Sequence, residues 1–204
     1  MDAVGKLWDD EHIGQWHPKE ALFDILPEFS ELSIRALHFC LKYEQFTLES
    51  RHALIHSLAE EGFCLQEKLN NWLAEAKRWE ITTHIDTDLL IGYAYYHSIR
   101  IYLSGTYDYH KHWSRPGAPS APILNSAEVD WHVSMILSLG RKILDDGISG
   151  IFLLFPLRVA GARAIEMGLR RNIVELLQTT SKRGFTVANA IENDLVQLWA
   201  SKDA

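Results

Sequence analysis

The sequence predicts an all-α fold, a single domain of about 8–9 helices packed as an irregular bundle of antiparallel pairs. Three observations carry this. Apolar residues recur at helical spacing almost throughout, no sustained period-two alternation marks a strand, and one stretch, Arg115–Pro122, holds three prolines in eight residues and must be a loop. That loop, 115–122, is expected to separate two helical halves.

Taken in order, Pro18 starts a first helix near 18–26, and helical spacing resumes near 31–43. Thr47 opens a helix near 47–61. The next, near 64–79, places Leu65, Leu69, Trp72, Leu73, Ala76 and Trp79 on one stripe, with Glu67, Lys68, Asn70, Asn71 and Glu75 opposite. Asp86 begins a helix near 87–104 that is apolar on nearly every face and carries Tyr93, Tyr95, Tyr96 and Tyr102, which predicts a central position and hydroxyls in need of partners. After the loop, Asn125-Ser-Ala-Glu128 has the spacing of a capping box and opens a helix near 126–145. The stretch Gly150–Ala164 joins a bulky apolar run to Ala160, Gly161, Ala162 and Ala164 around Pro156, and reads as a tightly packed helix near 150–167. A helix near 170–182 stops at Lys182-Arg183-Gly184, where basic residues and a C′ glycine fit a helix end. The last helix, near 186–200, turns Ala188, Ile191, Leu195, Leu198 and Trp199 to the core, so the chain closes on a helical hairpin.

With 204 residues, 47% hydrophobic and 23% charged, the chain can bury one sizeable core. Its formal net charge of -7, with Lys and Arg scattered, argues against direct nucleic-acid binding, because phosphate contact needs a basic face. Cys40 and Cys64 have no metal-like or disulfide-like spacing and read as reduced core thiols. The first residues lack the pattern of a signal peptide, and the longest apolar run, Ile148–Val159, is too short for a membrane span and contains Pro156 and Arg158. The expectation is a soluble protein of the nucleus or cytoplasm with no membrane contact.

Chemistry-bearing clusters are weak. No G-x-S-x-G, P-loop, G-x-G-x-x-G or C-x-x-C is present, and neither metal nor cofactor is expected. His52 and His56 share a helix face, but Ala53 stands where a zinc hydrolase helix has its glutamate. His84, Asp86 and Asp88 are better explained by helix capping than by metal binding, and Asp9-Asp10-Glu11-His12 only faintly resembles an acidic magnesium motif. Asp108, His110 and His112, flanked by Tyr107, Tyr109 and Trp113, rank first as candidate acid-base residues of a small-molecule pocket, with Tyr96, His97, Arg100, Trp113 and Arg158 as candidate ligand contacts. The plainer reading packs Trp113 and the tyrosines against the core and leaves the histidines in water. Arg158 and Arg163 sit on an otherwise apolar helix and need partners, for which Asp145, Asp146, Glu166 and Glu175 are near in sequence.

Three segments together, Ala94–Leu103, Leu154–Ala164 and Gly184–Trp199, resemble in content and order the C-terminal helical regulatory domain of fungal-specific, zinc-cluster type transcription factors. The resemblance implies regulation through inhibition, effector response or protein contacts, in a domain that follows a DNA-binding zinc cluster. Two cysteines cannot build a six-cysteine cluster, so autonomous DNA recognition is not expected of this chain. It is also shorter than the usual regulatory domain, which fits a fragment, a truncated product or a stand-alone descendant. The leading expectation is a regulatory domain that contacts a protein partner or a small-molecule effector. The alternative is a stand-alone helical enzyme, a cyclase or isomerase of fungal secondary metabolism, using an aromatic, histidine-bearing pocket. A homodimerisation module is the third.

Overall fold

The computed structural model describes residues 16–83, 85–145 and 147–203. These contain seven α-helices and no strand: α1 Pro18–Leu41, α2 Leu48–Thr82, α3 Thr87–Asp108, α4 Ser126–Asp145, α5 Leu154–Arg163, α6 Met167–Lys182 and α7 Val187–Asp203. A short 3-10 turn, Tyr43–Gln45, links α1 to α2, and a longer one, Gly147–Leu153, leads into α5. The all-α expectation holds; the count is seven among the described residues, below the expected eight or nine.

Two mergers account for the difference, and one expected helix is divided. The helices expected at 18–26 and 31–43 form one element, with Pro27 inside it on the exposed side. A proline in a helix interior costs about 3 kcal/mol. The buried stripe Leu22, Phe29, Leu32, Ala36 and Phe39 runs past it, and burying large side chains at roughly 1.5–3 kcal/mol each outweighs that cost. The helices expected at 47–61 and 64–79 are likewise one, and Gly62, between the two expected spans, lies at a crossing. There the Tyr107 hydroxyl donates to the Leu58 carbonyl at 2.8 Å, and a Cβ on residue 62 would collide with that hydroxyl. The expected 150–167 helix is divided: the chain winds as a 3-10 turn to Leu153, and Pro156 falls in the first turn of α5, where a missing N–H leaves no helical bond unmade.

The caps behave as their chemistry requires. Asp86 accepts from the Leu89 N–H at 2.8 Å and Thr47 from the Ser50 N–H at 3.2 Å. Asn125 and Glu128 bond reciprocally, each side chain accepting from the other's backbone N–H at 3.0 and 2.8 Å. Gly184 takes φ 103° after α6.

α3 is the centre of the fold. Its Leu89, Tyr96, Ile99, Leu103 and Tyr107 pack with α1 and α2, while Ile91, Ala94 and Ile101 pack with α4 to α7. The closing α6–α7 hairpin packs on α5 through the small-residue run: Leu195 lies over Gly161, and the Trp199 indole N–H donates to the Gly161 carbonyl at 2.9 Å. Of the two cysteines, Cys40 is half-buried, but Cys64 is exposed on α2 and is no core thiol.

Candidate functional site

The sequence-predicted residues fall into four surroundings. Tyr96 and His97, one after the other on the central helix, are both buried and face α2 and α4. Tyr96 stacks on Trp72, with ring centroids 5.8 Å apart and planes at 19°, and the Trp72 indole donates to the Pro18 carbonyl at 2.8 Å, which fixes the stack. His97 meets His132 of α4, Nδ1 to Nδ1 at 2.8 Å. One ring must donate and the other accept, so at least one imidazole is neutral. Burial pushes both below the ordinary histidine range; for His97 the neighbouring His132 adds to this, and Arg100 opposes protonation of both. The pair is therefore an uncharged polar bridge inside the α3–α4 contact.

Beside that bridge lies a cavity of about 430 Å³ in the seam of α2, α3 and α4. Each helix gives one stripe: Leu73, Lys77 and Glu80 from α2; Leu90, Tyr93 and His97 from α3, with Tyr96; Trp131, Met135, Leu139 and Lys142 from α4; Ile85 from the α2–α3 link joins them. The spacings i, i+4, i+7 and i, i+4, i+8, i+11 are those of one helix face. Its wall is aromatic and aliphatic with few polar groups, the usual make-up of a small-molecule site, and its size falls in the usual range. At its mouth the Tyr93 hydroxyl donates to Glu80 at 2.8 Å. Trp131, 54% exposed, and Ile85, 47% exposed, leave apolar surface in water there. Trp131, His132 and Met135 were not among the candidates. The stripe beginning at Trp131 is visible in the sequence, but what it faces is a tertiary fact.

Arg100 does not line the cavity. Its guanidinium is bound by the Gln66 amide of α2, whose oxygen, turned toward it, accepts from Nη1 and Nη2 at 2.9 and 3.0 Å. Arg100 acts on the site as a nearby positive charge.

Asp108 and His110 share one neighbour, Arg163, whereas His112 packs elsewhere. Both oxygens of Asp108 are gripped by Arg163, and the Ser104 hydroxyl donates to one of them at 3.1 Å. His110 lines a second, smaller cavity of about 280 Å³ with Tyr102, Tyr109, Val159 and Arg163. His112 is buried, stacked on Tyr43 at 3.9 Å, and burial, with Arg115 and Lys111 nearby, pushes its pKa down. Trp113 packs edge-on against Tyr107 at 4.8 Å, inside the core. His112, expected in the plainer reading to face water, is instead a packed core ring.

Arg158 is exposed and pairs with Asp194 of α7 at 3.1 Å. The carboxylates near it in sequence are not its partner, because close α5–α7 packing over Gly161 brings Asp194 alongside; Asp146 lies outside the described residues. His52 and His56 sit with centroids 4.4 Å apart, and no group of three metal-ligating side chains occurs among the described residues. His84 and the Asp9–His12 cluster lie outside the described residues. No described helix is long and apolar enough to cross a membrane.

The three segments that carried the resemblance thus fall on the central helix α3, on α5 and on the last helix α7 of one packed arrangement. Residues 15–204 match the fungal specific transcription factor domain. The chain belongs to that family. Comparison with curated proteins and with solved structures returns no match. As a fungal specific transcription factor domain, the chain has a regulatory role within transcription.

Proposed function

We propose that this fungal specific transcription factor domain works in the nucleus as an effector-responsive regulatory unit, through a small molecule held between α2, α3 and α4 and through protein contacts, without touching DNA itself. The observation that carries the reading is the aromatic-walled cavity beside the His97–His132 bridge, framed by one stripe from each of three helices. A ligand there touches α2 and α4 together and favours the arrangement of α2 on α3 that closes the seam. A bound molecule shifts a conformational equilibrium only by its differential affinity for the two states, and a seam between helices supplies such a difference. The net charge of -7 supports the second half of the reading, since a DNA contact needs clustered Lys and Arg.

The test fuses the full chain to an unrelated DNA-binding module driving a reporter and screens small apolar metabolites. Reporter output should change with compounds that bind the chain. The change should be lost when Met135→Trp fills the cavity. A response of unaltered size in that variant contradicts the reading, as does retention of the chain by DNA without the fused module.

A further inference from the structure

We infer that the α2–α3–α4 cavity selects a small hydrophobic carboxylic acid, its apolar body against Trp131, Tyr96 and Leu139 and its carboxylate held at the mouth between Lys77 and Lys142. This rests on the reading of the cavity as an effector site and adds the chemical class of the effector.

Four observations lead to the acid. First, Lys77 on α2 and Lys142 on α4 line the cavity from two different helices, both exposed, and neither has an ion-pair partner among the described residues. Lys19 and Lys68 pair with Asp88 and Glu28, each at 2.5 Å, whereas Lys77 and Lys142 are the two lysines that line this cavity. Two unpaired ammonium groups at an apolar cavity form a clamp for one anion, and a charge-assisted bond there is about twice as strong as a neutral one.

Second, Glu80 is the one acidic group in the lining, against the two lysines, so the lining keeps a net positive charge; the Tyr93 hydroxyl also occupies one acceptor site of Glu80. Third, the Arg100 guanidinium lies close enough to Tyr96, His97 and His132 to influence all three, adding positive potential behind the wall. For a cationic ligand, repulsion from Lys77, Lys142 and Arg100 outweighs attraction to Glu80 alone. Fourth, Trp131 and Ile85 expose large apolar faces at the same mouth where the lysines stand. A ligand with an apolar body and a charged head covers the first and satisfies the second, whereas a fully polar anion does only the latter.

The test uses the intact chain and two matched pairs of probes, 2-naphthoic acid with 2-naphthamide and decanoic acid with decanamide, titrated calorimetrically at low salt. At least one acid should bind about tenfold more tightly than its amide. In the Lys77→Ala/Lys142→Ala variant that difference should disappear. Both lysines are exposed and outside ion pairs, so the variant keeps its fold, which its melting temperature verifies. Acid and amide binding equally well, with both abolished by Met135→Trp, overturns the selection of an acid and leaves the cavity as an effector site. Failure of all four probes to bind overturns both. An acid preference that persists in the double lysine variant overturns the clamp.

Discussion

Arg163 of α5 holds both carboxylate oxygens of Asp108, at 2.8 and 2.6 Å, across 55 residues of chain. The pair is largely shielded, the side chains 17% and 19% exposed, and it ties the end of α3 to α5. The Arg163 guanidinium also lies over the Tyr109 ring at 5.0 Å. This fork fixes a carboxylate whose sequence neighbours suggested acid-base work.

Removing one member leaves the other shielded and unpaired. Asp108→Ala should therefore cost about 2 kcal/mol in urea denaturation, and Asp108→Ala/Arg163→Met less than the sum of the two single changes. Strict additivity would show that the fork contributes nothing beyond its separate side chains.

The His97–His132 bridge makes stability depend on pH with a definite sign. Both imidazoles are held neutral in the fold, below the value of 6.5 they take when unfolded, so the unfolded chain binds more protons in acid. Their contribution is complete above about pH 6.5 and is lost as pH falls below it, at up to about 1.4 kcal/mol per pH unit for each ring. Denaturation between pH 7.5 and 5 should show this slope, and His97→Gln/His132→Gln should flatten it. An unchanged slope in that variant assigns the dependence to other groups.

Gly161 allows α7 to lie directly on α5. A Cβ there would run into Leu195, with Cδ2 at 2.9 Å and Cγ at 3.2 Å, in a site already filled. Gly161→Ala gains about 1 kcal/mol of helix propensity yet should lower stability by about 1–2 kcal/mol through overpacking. Leu195→Ala in the Gly161→Ala background should then cost less than in the natural chain. A more stable Gly161→Ala protein would refute the close contact.

Pro27 is tolerated because it lies on the outer side of α1. Pro27→Ala restores a backbone donor without altering the buried stripe and should raise stability by about 1 kcal/mol or more, read as a higher urea midpoint at unchanged slope. Lower stability would mean that a bend at Pro27 is needed for packing.

The sequence makes legible what depends on local chemistry. The Asn125–Glu128 box, the Asp86 and Thr47 caps and the stop at Gly184 are interactions within four residues, and α3 declares its central place by being apolar all round. The small-residue run around Gly161 announces a close approach, though not that Leu195 and Trp199 make it. Pro27 and Gly62 are misleading for the same reason: each is a breaker by propensity, and each is overridden by contacts from outside its own helix, the buried α1 stripe in one case and Tyr107 in the other. The cavity is half legible. Tyr96 and His97 stand out on the central helix, whereas His132 reads as an ordinary core position until α4 is seen to cross α3. The opposite holds for His112, close in sequence to Asp108 and His110 yet packed against Phe39 and Tyr43.

In the function proposed, ligand binding in the seam of α2, α3 and α4 is what couples this domain to an effector. The measurement is the melting temperature of the intact chain with and without a hydrophobic acid at about a hundred times its dissociation constant, where binding stabilises the fold by about 2.7 kcal/mol. For a chain of this size the predicted rise is about 5–10 °C, and it should vanish in Met135→Trp. No rise with any compound, or the same rise with the cavity filled, would contradict ligand binding in this seam.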